Sequence, residues 1–374
     1  MGKLHTSKLI EEAFERVQEF NYRRFIDEIR NISGNLPKGS LSRKRHIINQ
    51  FLERFGLHLI YKSALEELQY SSYSKMGKWS AVGTLQLALK SPEKFDEIYN
   101  ILSDEESKSI FDWFIKYRTA YAFLGELAEE VYPAKIIKAE FLKEISALER
   151  NTRNGLITLQ NFSFKSEVLE TVQAWNLEQY NLRGRYEITK SDYIIDGGAF
   201  RGETALWFIS KGAAKVYAFE PDSYNFLILS ENIRRNEIED EVIPFQMILS
   251  DKNSRFPLYE IGLGRSIALE GGNKIIDGIT LDSFIEKEKL NKVDFIKLDV
   301  EGAELEVLKG AMETIKRFRP KMAISVYHKP DDIITILKFI SEILPDARFY
   351  LSHKFYELSE TILFVNPREE RKES

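Results

Sequence analysis

The chain has 374 residues, 43% hydrophobic and 30% charged, with 53 basic and 58 acidic side chains and a formal charge of −5. That length allows roughly two domains, and the composition excludes global disorder. No broad basic field exists, so nucleic acid is not an expected partner. Cysteine is absent, which excludes disulfides, thiolate nucleophiles and Cys-ligated metals and suits a reducing cytoplasm.

No apolar run is long enough to span a bilayer, and the N-terminus lacks a signal-peptide core, so a cytoplasmic protein without a membrane span is expected. Gly2 to Thr6 fits the loose pattern for N-myristoylation, but a second membrane signal is missing. Asn31-Ile32-Ser33 and Asn161-Phe162-Ser163 match the glycosylation sequon and are read as chance matches.

Residues 1–150 read as almost wholly helical. Leu9, Ala13, Val17 and Phe20 recur at helical spacing, continued by Phe25, Ile26 and Ile29. Asn31 to Ser42 holds Gly34, Pro37 and Gly39 and reads as a connector. Ile47, Ile48, Phe51 and Leu52 form a second pattern, stopped by Gly56. Ser91-Pro92-Glu93 opens a helix with Phe95, Ile98, Tyr99 and Leu102 on one face. Ser103 to Glu106 opens the next, which carries Ile110, Phe111, Phe114 and Ile115. These helices are expected to form a cap or a dimerisation module, or to close over the acceptor substrate. Residues 151–190 are transitional. Trp175, Tyr180 and Tyr186 either line a pocket mouth or pack between domains.

From Ser191 to about residue 366 the rhythm is strand, helix, strand, and 367–374 is a charged tail. Strands are expected at Tyr193–Ile195, Val216–Phe219, Val242–Leu249, Val293–Leu298 and Met322–Val326, with two more around Phe349 and Ile362 and a small inserted one at Phe256–Ile261. Helices are expected at Glu203–Ile209, Tyr224–Asn236, Leu281–Glu288, Glu304–Phe318 and Ile333–Ile343. The pattern predicts a seven-stranded α/β sheet, mostly parallel with an antiparallel edge strand, joined to the N-terminal helical domain.

Chemistry concentrates at the strand ends. Asp196, Glu220, Asp251 and Asp299 each close a strand, and a doubly wound sheet brings such ends to one edge. Gly197, Gly198 and Gly202 follow Asp196 as a tight turn into a helix. Glu220 lies 24 residues beyond Asp196, close to the spacing at which an acid accepts ribose hydroxyls. Two nucleoside cofactors fit that frame. A nicotinamide dinucleotide carries a diphosphate that Asp196 would repel, and Ala199 stands where the dinucleotide loop needs glycine. S-adenosylmethionine carries a sulfonium and an ammonium, which an acid favours. The charge argument selects S-adenosylmethionine; the alternatives are a nicotinamide-dependent oxidoreductase and a non-catalytic nucleoside-binding protein. Asp251, beside Ser250, either accepts from the adenine amino group or caps a turn.

Methyl transfer needs in-line placement, and an acceptor that carries a proton would also need a base. Asp299, Glu301 and His328 are the candidates, His328 because its ordinary pKa is near 6.5. Asp299 has a second reading, as partner of the methionine ammonium. Glu301 and Glu304 flank Gly302 and alternatively cap the helix that opens there. Asp299, Glu301 and His328 could also ligate a divalent ion, but no fourth ligand is evident, so no metal is expected. Lys297 shares strand parity with Asp299 and is expected to be buried and paired with an acid.

FIKLDVEGAELEVLKGA, from Phe295 to Ala311, resembles the signature of FkbM-type S-adenosylmethionine-dependent methyltransferases. DGGAFRGET resembles the first motif of that family, and YAFEP, Tyr217 to Pro221, its second. ISVYHKPDD, Ile324 to Asp332, and LSDEESKSIFDWFIKYR, Leu102 to Arg118, are similar to segments of one branch. Phe200 and Arg201 depart from the commoner Asn-Ile pair. The resemblance implies a Rossmann-like fold and O-methylation of a sugar, polyketide or related hydroxyl, on a small molecule or glycan. The implied cofactor set is Asp196, Gly197, Gly198, Ala199, Gly202, Thr204, Glu220, Pro221, Ser250, Asp251 and Asp299. The N-terminal helices offer a surface for a homo-oligomer.

Overall fold

Helices lead the chain: α1 (His5–Gly34), α2 (Ser72–Lys90), α3 (Pro92–Ile101), α4 (Glu105–Leu124) and α5 (Lys138–Asn151). The computed structural model describes residues 4–34, 72–182, 184–185, 187–260, 266–268 and 274–367. Gly2, the pattern from Ile47 to Leu52, Tyr186 and the charged tail lie outside the described residues, as do the side chains of Phe25, Ile26 and Ile29. Pro92 takes the first position of α3, where its missing N–H is no loss. Asp104 caps α4 by accepting from the Ser107 amide. α1 runs through Asn31 to Gly34, where a connector is predicted. At the end of a long helix each further residue only extends an existing ladder, so weak helix formers are tolerated there.

A hairpin of β1 (Ile157–Leu159) and β2 (Phe162–Phe164) follows, then a short helix, Val168–Thr171, that continues as a π turn to Asn176. The main α/β unit then alternates β3 (Tyr193–Gly197), α6 (Glu203–Ser210), β4 (Lys215–Phe219), α7 (Ser223–Arg235) and β5 (Val242–Phe245). The third predicted strand does not run on to Leu249. The chain leaves the main sheet after Phe245, and β6 (Ile248–Leu249) joins β7 (Ser254–Glu260), β8 (Ser266–Ala268) and β9 (Lys274–Ile279) in a separate sheet of order β6-β9-β7-β8. The chain then returns through α8 (Leu281–Lys287) to β10 (Phe295–Leu298). The single helix expected at 304–318 is two, α9 (Glu304–Lys309) and α10 (Met312–Phe318). Gly310 separates them, packed so closely on the Ser250 carbonyl that a side chain would overlap it. Last come β11 (Lys321–Ser325), α11 (Asp332–Ile343), β12 (Arg348–His353) and β13 (Thr361–Asn366).

The main sheet has seven strands in the order β12-β13-β11-β10-β3-β4-β5. β13 is antiparallel to both β11 and β12. The reversed strand is therefore second from the edge, and β12 at the edge runs with the rest. An edge placement fails because the link from β12 to β13 spans only Lys354 to Glu360, which suits an antiparallel neighbour, while β13 takes the place beside β11.

Successive strand residues feed opposite faces, as a doubly covered sheet requires. Ile195, Tyr217, Phe219, Ile296, Leu298 and Ile324 enter one core with Leu9, Leu85, Phe95 and Phe111 of the N-terminal helices. Ile194, Val216, Ala218, Phe295 and Ala323 enter the other with Phe141, Trp175 and Trp207. The N-terminal helices also close the sheet edge. Ser103 accepts and donates on Phe349, with N–O distances of 2.9 Å each way, and the Leu351 amide donates to Ser107 Oγ at 3.0 Å. That satisfies the backbone groups an edge strand leaves open. Among the described residues no helix is long and apolar enough to cross a membrane.

Candidate active site

A cavity of about 470 Å³ opens at the carboxyl ends of β3, β4 and β10. Of the predicted site residues, Gly197, Gly198, Thr204, Glu220, Pro221, Ser250, Asp299 and Glu301 line it. Asp196, Ala199, Gly202, Asp251 and His328 lie outside the lining. The loop after β3 is held hard against β10: Gly198 has φ 77°, and a Cβ there would overlap the Asp299 carbonyl oxygen. Only glycine meets both demands.

Asp196 is fully buried, with Thr204 Oγ1 donating to one carboxylate oxygen at 2.7 Å and Lys297 Nζ at 3.1 Å from the other. Lys297, 1% exposed, also donates to the carbonyls of Gly197 (3.1 Å) and Gly198 (2.6 Å). The expected pairing of Lys297 with an acid is present. It has a consequence for the charge argument: the Asp196 charge is answered in place and is not offered to a ligand. Asp196 and Lys297 instead hold the glycine loop on β10.

Glu220, at the end of β4, is positioned by two backbone donors. Phe200 N–H reaches one carboxylate oxygen at 2.9 Å and Asp222 N–H the other at 2.8 Å. Burial pushes its carboxyl up to about 8, against the lowering effect of both amides. Phe200 thus contributes through its backbone. Arg201 turns away to Glu167, at 3.2 Å, and to Asn225 Oδ1, at 3.3 Å. Around Glu220 the wall is apolar: Phe219, Met247, Ile248, Leu249, Phe256 and Leu258. Asp251 is exposed and accepts from Ser250 Oγ at 3.2 Å. The break between β5 and β6 brings Ser250 to the wall and leaves Asp251 in solvent.

The other end of the cavity is polar. Asp299 accepts from Tyr180 Oη at 2.9 Å and Tyr327 Oη at 3.1 Å, one on each oxygen. Burial acts to raise its carboxyl, but Lys297, His328 and hydrogen bonds hold it below the usual carboxylate range. His328 lies behind this wall. Its Nδ1 is 3.0 Å from Glu304, and its Nε2 is 3.6 Å from Asp299 and 3.7 Å from Glu301. Burial alone would lower the imidazole; the three carboxylates outweigh it and raise it to about 10. Those carboxylates favour the imidazolium form of His328 over the proton acceptor expected from its ordinary pKa. Asp299, Glu304 and His328 place one donor atom each within 4.8 Å of one another. Here an imidazolium already balances the carboxylates. Glu304 is fully buried and accepts from the Val300 amide at 2.9 Å, so it holds the turn that carries Glu301.

Four further acids line the cavity: Glu170, Glu203, Glu306 and Glu360. Burial pushes Glu203 and Glu360 up to about 7, and Glu170 well above its ordinary value. Ser166 Oγ donates to Glu203 at 2.9 Å, and Gln179 Nε2 donates to Glu360. Of this set the sequence reading places only Tyr180 near a pocket. Glu360 sits in a seven-residue link with a second acid, Glu357, and nothing in that link separates the two. Glu170 and Gln179 precede the first strand of the main sheet, where no motif draws attention to them. For Tyr327 a signal existed: it precedes His328 at the end of a strand.

The loop carrying Tyr327 is tied to the N-terminal helices. Arg118 of α4 is 1% exposed and donates to Ser80 Oγ of α2 at 2.6 Å and to the Tyr327 carbonyl at 3.2 Å. Thr84 Oγ1 donates to the Pro330 carbonyl at 2.9 Å.

Residues 196–355 match the family model of the methyltransferase FkbM domain. Over 200 residues the chain is 28% identical to hexuronic acid methyltransferase AglP of Haloferax volcanii, covering 49% of this chain and 78% of that protein. Over 162 residues it is 28% identical to methyltransferase sdnD of Sordaria araneosa, covering 34% of this chain and 62% of that one. Among solved structures, methyltransferase FkbM of Methylobacillus flagellatus superposes with a TM-score of 0.53 at 20% identity, covering 86% of this chain and 70% of that one. The last likeness is one of fold. The strand-end motifs, the cavity they frame and these matches agree on one point: residues 196–355 are similar to a methyltransferase FkbM domain.

Proposed function

We propose that the cavity binds S-adenosylmethionine and that the enzyme methylates a hydroxyl of a saccharide or a related polyol. One observation carries the reading: a single cavity joins an apolar slot around a backbone-fixed Glu220 to a pocket of carboxylates and tyrosines. Glu220 keeps lone pairs free of its two amide donors and suits the ribose hydroxyls. Phe219, Met247, Leu249 and Leu258 suit the flat adenine. Asp299, held ionised, suits the sulfonium and ammonium and disfavours the diphosphate of a dinucleotide, and a bound cation would draw Glu170, Glu203 and Glu360 toward their charged forms.

The cofactor supplies a methyl group already activated by the sulfonium. The chain has to hold the acceptor oxygen in line with it and take the hydroxyl proton. Bound there, the cofactor would give that methyl group to the acceptor oxygen and leave as S-adenosylhomocysteine, and a carboxylate of the chain would take the hydroxyl proton. Glu360 suits that task, because a base works best with a pKa near the working pH and burial brings this one to about 7. Asp299 is too acidic for it and His328 too basic. Asp299, held by two tyrosines, is instead the fixed charge of the pocket. The same acids disfavour a carboxylate as acceptor, so the product is an ether rather than an ester.

Isothermal titration with S-adenosylmethionine, S-adenosylhomocysteine and NAD tests the cofactor. Binding of NAD alone overturns the reading. Methyl α-glucoside against glucuronate, each with labelled S-adenosylmethionine, tests the acceptor. Label appearing only as an ester of glucuronate would remove the hydroxyl.

A further inference from the structure

A second hollow, of about 540 Å³, lies beside the first. One wall is the outer face of α2: Trp79, Gly83, Gln86 and Lys90 follow at steps of four, three and four residues and so form one stripe. The opposite face of α2, with Ala81, Leu85 and Ala88, is in the core. The other wall is Lys329, Pro330 and Asp331. Gly83 lets the walls meet, since a Cβ there would lie 2.5 Å from Pro330 Cγ. With the Thr84 hydrogen bond to Pro330, the groove is preformed.

Lys329 lines both hollows. Its Nζ is 3.5 Å from Glu306, which lines the inner cavity. Lys329 thus stands between the inner acids and this groove. The groove's chemistry differs from the cavity's. Trp79 is 57% exposed, a broad apolar ring with one N–H at its rim. A pyranose ring has the matching form, with C–H bonds on its face and hydroxyls around its edge. Gln86 offers both a donor and an acceptor. Lys90 and Lys329 outnumber Asp331, whereas the inner cavity is rich in acids.

We propose that this groove holds the second ring of an oligosaccharide acceptor, an acidic sugar stacked on Trp79 with its carboxylate served by Lys90 and Lys329. The proposal rests on methyl transfer to a saccharide hydroxyl. It adds that the acceptor is an extended acidic glycan whose neighbouring ring is read outside the cavity.

The full chain is titrated with a hyaluronan tetrasaccharide, with neutral cellotetraose and, separately, with S-adenosylhomocysteine. The tetrasaccharide is expected to bind and to change tryptophan fluorescence, because Trp79 is exposed while Trp113 is half-buried and Trp175 and Trp207 are buried. Trp79→Ala should raise its Kd about tenfold or more, equivalent to about 1.4 kcal/mol. Lys90→Ala should weaken binding several-fold, less so at high salt. Binding of S-adenosylhomocysteine should be unchanged in both variants. Trp79→Phe, which keeps a flat ring, should restore most of the affinity. Equal affinity of the unaltered chain and Trp79→Ala overturns the proposal, as does no binding of the acidic tetrasaccharide or equal binding of cellotetraose. Sugar titrations are run with and without S-adenosylhomocysteine. A chain that binds the tetrasaccharide but not the nucleoside sinks the cofactor reading and leaves the groove standing.

Discussion

The two ends of the inner cavity are made differently. The β4 end is apolar around one carboxylate, and that carboxylate is fixed by main-chain amides. The β10 end is an array of acids and phenols fixed by one another: Tyr180 and Tyr327 on Asp299, Gln179 on Glu360, Ser166 on Glu203. The first recognises by shape and area around one titrating group, Glu220. The second recognises by charge, and every member depends on the protonation of the others. Under the proposed function, binding belongs to the first end and chemistry to the second.

The sharpest test of that division is Glu360→Gln. It should lower kcat by roughly 10²–10⁴-fold, the usual range for a general base, with binding of S-adenosylhomocysteine preserved. Lost nucleoside binding with kcat intact at saturation would move Glu360 to the cofactor. Next in size is Lys297→Met. Asp196 would then be a buried charge without its partner, which costs roughly 3–5 kcal/mol. Urea denaturation measures it. A loss of about 1 kcal/mol, the size of an exposed pair, would mean that water reaches Asp196. At the apolar end, measured at about pH 9 where Glu220 is ionised, Glu220→Ala should weaken nucleoside binding by roughly 1.5–3 kcal/mol, the range for hydrogen bonds to a charged group. A shift of a few tenths by titration calorimetry ends the ribose assignment. The smallest effect is on stability against pH. Glu203, Glu220 and Glu360 titrate at about 7 to 8 when folded and lower when unfolded. The folded chain then holds more protons above pH 4.5, so stability is fully present below that pH and is lost as pH rises toward 8. The ligand-free Tm should fall from pH 5 to pH 8, and Glu220→Gln should flatten the upper part of the curve. A Tm that rises across this window contradicts the burial of these acids.

The same division explains what could be read from the sequence. Glu220 was legible because a strand end and a fixed distance from the glycine loop define its place. Gly198 and Asp299 were legible for the same reason, and so was the burial of Lys297. Glu170, Gln179 and Glu360 were not, because they arrive from segments before the first and after the sixth strand of the main sheet, where no short motif encodes position. The sign of the pocket was inferred from Asp196, yet that charge is cancelled by Lys297, and the acidity comes from residues distant in sequence. For His328 the limit is related. Its ordinary pKa suggests a base, but the fold surrounds it with three carboxylates that favour the imidazolium. Short strand runs did not reveal that β13 slots inside β12, because register along a sheet leaves no trace in the spacing of apolar residues alone.

Arg118 joins two helices to the loop of Tyr327 from a position almost without solvent. A guanidinium so placed welds the front of the chain to the phenol that orients Asp299. Grafting a relative's leading segment onto this catalytic half would thus require bringing the matching Tyr327–Pro330 loop along. Any search for altered acceptor preference should shuffle those two pieces as one heritable block.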